Sequence, residues 1–157
     1  MRASFKTGLS FGLTSGVITT LGLLVGLHAG THSRAVVLGG ILTIAVADAL
    51  SDALGIHITE EANRRGAAHV WESTAVTFAV KFLSAASFAV PVRVLPLEQS
   101  IIVSVAWGFG LLAVFSWFMA VTQRLSPWSV IGEHLVIASA VIAVTFYVGR
   151  WIGETMG

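Results

Sequence analysis

Cysteine is absent from the 157 residues. That excludes disulfide staples, thiolate metal sites and a cysteine nucleophile, though it leaves the compartment open. Charge is scarce as well. Asp, Glu, Lys and Arg make up 11% of the chain, about half of what a soluble domain ordinarily carries. A formal net charge of +1 gives no bias toward nucleic acid or an acidic substrate. No Gly-Lys-Ser/Thr phosphate loop, no Gly-x-Ser-x-Gly elbow and no His-Glu-x-x-His zinc motif occurs. The chain is therefore not expected to be an enzyme or to hold a resident cofactor.

Apolar residues are what the chain has, at 55% of the total. A membrane span needs about 20 of them in succession, because each residue rises about 1.5 Å against a hydrocarbon core of about 30 Å. Five such runs are predicted, near residues 8–29, 35–58, 73–95, 99–123 and 128–152. Lys81 interrupts the third. Pro91 and Pro96 mark its end, since proline cannot continue the backbone ladder, and Pro127 is placed to open the fifth. The first run follows Arg2 and Lys6 in the manner of a signal peptide. It is too long for a signal h-region and ends without a small-x-small cleavage site, so it reads as a true membrane helix. The expected fold is an all-α membrane protein: one transmembrane domain over residues 1–157, a bundle of five helices with loops too short for a soluble module.

Basic residues in short loops set orientation. Arg2, Lys6, Arg64, Arg65 and Arg124 fall on one side of a five-span chain, and Arg34, Arg93 and Arg150 on the other. This bias predicts a cytoplasmic N-terminus and an external C-terminus, in a cytoplasmic membrane of the prokaryotic type. Glycine spacing predicts close helix packing. Gly8, Gly12 and Gly16 recur every four residues, as do Gly22, Gly26 and Gly30. Such rows let two helix backbones approach closely, either within one chain or across a homodimer seam. The sharper expectation is a homodimer with Gly8, Gly12 and Gly16 at its interface. Gly149 and Gly153 repeat the spacing near the C-terminus.

Charge inside a bilayer costs roughly 3 kcal/mol or more at the centre of a span, so the exceptions are informative. Asp48 and Asp52 are four residues apart in the second run and share a helical face. Paired carboxylates can bind a hard divalent cation or share a proton. Thr74, Thr77, Lys81 and Ser84 form a polar stripe on the third run. Measured from the loop between the two runs, Asp52, Lys81 and Asp48 lie at depths of about 10, 12 and 16 Å. The expectation is one coupled charge cluster of Asp48, Asp52 and Lys81. Its bland alternative is an ion pair that only neutralises charge. Glu60 and Glu61 at the end of the second run, with Glu133 and His134 at the start of the fifth, complete a candidate set of metal ligands as a cytoplasmic mouth for cations. Ordinary solvated helix ends are the competing reading of those four. His28, His32 and His69 read as interfacial, and the His28–His32 spacing alone is weak evidence for a metal site.

Three segments add a resemblance. They are Gly12-Leu13-Thr14-Ser15-Gly16-Val17-Ile18-Thr19-Thr20, Ala49-Leu50-Ser51-Asp52-Ala53-Leu54-Gly55-Ile56-His57-Ile58, and Thr145-Phe146-Tyr147-Val148-Gly149-Arg150. Together they resemble the VIT1/CCC1 family of vacuolar iron and manganese transporters, over essentially the whole chain and including the turn over residues 91–97. The resemblance implies a homodimer that exports ferrous iron or manganese from the cytosol in exchange for protons. Its partners would be the bilayer, a second copy, a divalent cation and the proton. The chain departs from that pattern in placing Ser15 where the family's first helix has an acidic residue. It also has Asp52 and Ile56 where the second helix has methionine and glutamate, and it lacks the long cytoplasmic metal-binding helices. A membrane scaffold that kept the fold and lost the site, or a carrier of another small solute, is the alternative function.

Overall fold

The computed structural model describes residues 2–156. Its elements are α1 (Ala3–Thr31), α2 (Arg34–Ala62), α3 (Ala67–Ser87), α4 (Ala89–Val94), α5 (Leu97–Gln123) and α6 (Pro127–Met156). Among the described residues, five helical stretches are long and apolar enough to cross a membrane, with α3 and α4 together forming the third. Each helical stretch extends past its apolar run at one end or both, by up to six residues, because polar residues can continue a helix past the hydrocarbon core.

Local chemistry explains the boundaries. α1 closes at His32, which takes a left-handed conformation with φ 48°. Ser33 then caps α2, its hydroxyl accepting from the Val36 N–H at 3.5 Å. The third span is not one continuous helix, as its single apolar run suggested. Pro91 has no N–H to give to the Ser87 carbonyl, and its ring crowds that oxygen. The chain tightens just before it, with the Phe88 N–H on the Ala85 carbonyl at 3.2 Å, and α4 starts afresh at Ala89. Leu95, ahead of Pro96, is extended, as the residue before proline prefers. Pro127 opens α6 at the position where a missing N–H costs nothing.

α1 is the hub and packs against α2, α3, α5 and α6. Val17, Leu21 and Leu24 on α1 are fully buried and meet Val37, Ile41, Phe88, Val92 and Leu112 in the core. The outward faces are apolar too. On α2, Leu42, Val46, Leu50, Leu54 and Ile58 are all exposed at four-residue steps, while Ala45, Ala49 and Ala53 face inward. Such a belt would be an aggregation surface in water and is an ordinary surface in lipid.

The two glycine rows of α1 serve two different neighbours inside the same chain. A side chain at Gly8 or Gly12 would press on the α3 backbone: a Cβ on Gly12 would lie 2.8 Å from the Thr77 carbonyl oxygen. Gly22, Gly26 and Gly30 face α6: Gly22 meets the Val141 and Thr145 side chains, while Gly149 meets Gly26 and Gly153 meets Gly30 backbone to backbone. Six residues separate Gly16 from Gly22, which turns the second row about 120° around the helix from the first. The expected homodimer seam at Gly8, Gly12 and Gly16 is therefore corrected: α3 of the same chain fills that face.

Candidate functional site

The site assembles where α1, α2 and α3 meet. α3 carries a buried row at four-residue steps, Ser73, Thr77 and Lys81, each no more than 1% exposed. Ser73 and Thr77 return their hydroxyls to their own helix, Thr77 Oγ1 donating to the Ser73 carbonyl at 2.8 Å. Lys81 cannot do that and reaches away from α3. Gly16 clears the way, since a Cβ there would sit 3.2 Å from Lys81 Cγ and would overlap the Ser84 hydroxyl. The glycine row thus lets α3 approach α1 closely enough for the lysine stem to pass and bring its ammonium to α2.

The ammonium carries three protons and meets three acceptors. Nζ lies 2.5 Å from Asp48 Oδ2, makes a short contact with Asp52 Oδ2, and donates to Ser15 Oγ at 2.9 Å. Ser15 Oγ in turn donates a hydrogen bond to Asp52 Oδ2 at 2.7 Å. Thr19, one turn further along α1, lies 3.1 Å from Asp48 Oδ2 and 2.8 Å from the Ser15 carbonyl, with a single proton for the two acceptors. Two carboxylates, one ammonium and two hydroxyls thus share one small volume. With all three ionisable groups charged, its formal charge is −1. The lysine is closed off, whereas the Asp48 and Asp52 side chains remain 29% and 21% exposed. Asp48 also lines an open groove of about 660 Å³ between α1 and α2, with Leu23, Leu27 and Gly40 along its walls.

The structure therefore brings Asp48, Asp52 and Lys81 together. It does not bring the six proposed metal ligands together. Glu60 is held at the α2–α3 turn, 2.9 Å from His69 Nε2 and 3.9 Å from Arg65 Nε. Glu61 pairs with His57 of its own helix at 3.5 Å, and the other nitrogen of that ring lies 3.0 Å from Thr74 Oγ1. Glu133 takes a hydrogen bond from Ser129 one turn before it at 3.3 Å. His134 Nδ1 lies 2.6 Å from Ser116 Oγ on α5. Among the described residues, Glu133 and His134 share no hydrogen bond or ion pair with Glu60 or Glu61. The single mouth for cations expected from all four is thus corrected to separate local pairs, because α6 packs on α1 and α5 while Glu60 and Glu61 are tied up where α2 turns into α3. Thr59, two turns beyond Asp52 on α2, bonds its own helix at the Gly55 carbonyl.

No family model, no curated protein and no solved structure matches the chain. Function therefore rests on the geometry. Sequence reasoning missed two members of the cluster, Ser15 and Thr19. The signal was present: two hydroxyls four residues apart on α1, matching the spacing of the aspartates on α2. It was obscured because hydroxyls inside membrane helices commonly bond their own backbone, as Thr31, Ser73 and Thr145 do here.

Proposed function

We propose that the chain is a membrane transporter that moves a divalent cation of the iron(II) or manganese(II) class against protons, with export from the cytosol as the direction the resemblance implies. Asp48 and Asp52 are the cation's ligands, and Lys81 is the built-in counter-ion that occupies their site when cargo is absent. The carrying observation is the buried Lys81 ammonium held by two partly exposed carboxylates across three helices. A membrane interior tolerates such charge at a cost that favours a working role.

The exchange follows from charge. Without cargo the cluster bears one net negative charge. A divalent cation arriving between the carboxylates repels the ammonium, which must give up a proton or swing away. Binding one dication and releasing one proton leaves the cluster neutral. The reverse exchange on the other face releases the cation as Lys81 takes a proton back. Ser15 and Thr19 keep the carboxylate oxygens oriented throughout, and their hydroxyls offer additional oxygen ligands of the kind hard cations accept.

One observation favours a second reading, a static scaffold. All three ammonium protons are already matched, so the cluster is also a complete structural ion pair. Proteoliposomes separate the two. Manganese uptake should run with an opposed proton flux, detected by an internal pH dye, and both should stop in Asp52→Asn. A folded, reconstituted protein that carries no metal with or without a pH gradient would replace the transporter with the scaffold.

A further inference from the structure

At the opposite end of α1 from its N-terminus, His28, His32 and Glu98 converge, one ligand atom of each lying within 4.8 Å of the others. From these residues we infer a second, separate metal site that takes a borderline first-row dication of the zinc class. It binds at the membrane surface and clips the end of α1 to the start of α5.

Three features place the ligands. His28 and His32 are one turn apart on α1, so their rings lie on the same side, edge to face with centroids 5.2 Å apart. The left-handed backbone at His32 ends the helix there and keeps that ring at the rim. Glu98 stands in the first turn of α5, its Oε2 3.2 Å from His28 Nε2. Two imidazoles and one carboxylate form a mixed nitrogen–oxygen set that suits zinc, with a fourth position left for water. Calcium and magnesium prefer all-oxygen surroundings, which this cluster does not supply. Bonds of about 2.0–2.1 Å to a tetrahedral ion set ligand atoms about 3.4 Å apart; His28 Nε2 and Glu98 Oε2 already stand near that spacing, and any wider separation within the 4.8 Å limit is closed by side-chain rotation.

His28 is the anchoring ligand. It is 9% exposed, and the nitrogen it turns toward Glu98 is Nε2. A metal held there leaves Nδ1, which is buried without a hydrogen-bond partner, as the ring N–H, so the site rests on the three converging ligand atoms. A cavity of about 420 Å³ lies alongside, lined by both histidines, and gives an ion a path from solvent. The one arginine on its wall, Arg150, is engaged by Glu154 at 2.7 Å, so the approach is not closed by an unpaired positive charge.

This site is not the charge cluster. His28 lies nine residues beyond Thr19 along α1, a rise of about 13 Å. It shares no residue with Asp48, Asp52 or Lys81, and it stands whether or not the chain transports.

Cobalt(II) is the probe, because four-coordinate cobalt with imidazole ligands absorbs strongly in the visible. Six-coordinate cobalt on oxygen ligands, as Asp48 and Asp52 would give, absorbs far more weakly. Tag-free, chelator-stripped protein in detergent should develop the strong band, saturating at one cobalt per chain, and zinc should displace it. His32→Gln and Glu98→Gln alter exposed residues, so both should keep the helical spectrum and elution volume of the parent. Each should weaken cobalt binding at least tenfold. Absence of the strong band in the parent, or its survival with unchanged affinity in both variants, overturns the site. Neither result bears on manganese transport, which is read separately in vesicles.

Discussion

Replacing Lys81 with methionine keeps the length of the buried stem and removes the ammonium, its charge and its three donors together. The two aspartate Oδ2 atoms are both in contact with the same nitrogen, so without it they face each other across about 5 Å or less; at an effective dielectric of 20 that repulsion is worth about 3 kcal/mol. Breaking a buried ion pair from one side costs about 3–5 kcal/mol in general. Partial exposure of both carboxylates, and the option for one of them to take a proton, put this case at the low end, about 3 kcal/mol. Ser15 also loses the donor it accepts from. Adding Asp52→Asn should return part of the loss, about 1–3 kcal/mol of coupling, because the lysine and one carboxylate then leave together. Denaturant or thermal unfolding in detergent of the two single variants and the double variant measures this directly. The refuting result is a double variant whose loss equals the sum of the singles. In vesicles, a transporter should stay inactive in the double variant even though its fold has recovered.

Three further outcomes follow from the helix contacts. Gly149→Ala would drive a methyl group into the Gly26 carbonyl and should cost about 1–3 kcal/mol in unfolding experiments. Gly39→Ala, which meets nothing within 4 Å, should be neutral or gain up to about 1 kcal/mol. Gly12→Leu should lower the melting temperature of the chain itself, and unchanged thermal stability would contradict the α1–α3 packing. Reporter fusions at the two termini should label opposite sides of the membrane, since five helices among the described residues are long and apolar enough to cross it; labels on one side would refute five spans.

Much of the bundle was legible because its causes are local. Apolar length sets the spans, and prolines set where the third and fifth begin or end. The break within the third span was not located because a proline disturbs the turn before it, and that displacement depends on how the freed carbonyl is accommodated. The glycine rows were equally visible, yet not their partners. A row of small residues says that something approaches closely and does not say what. Only the arrangement of helices shows that Gly12 faces Thr77 and that Gly26 faces Gly149.

The same limit divides the charge cluster from the failed set of metal ligands. Asp48, Asp52 and Lys81 could be joined in advance because membrane depth is nearly one-dimensional, so counting residues from a shared loop puts two adjacent helices on one scale. Glu133 and His134 could not be joined to Glu60 and Glu61 in that way. Equal depth is not proximity when the helices are not neighbours. Ser15 and Asp52 meet at one such contact between neighbouring helices. The hydroxyl is on α1 and the carboxylate on α2, and the two touch at 2.7 Å. Asp48 lies beside that carboxylate and Lys81 against both. Ser15 reads in the sequence as an uncharged position on α1; in three dimensions the charge beside it is delivered from the facing helix.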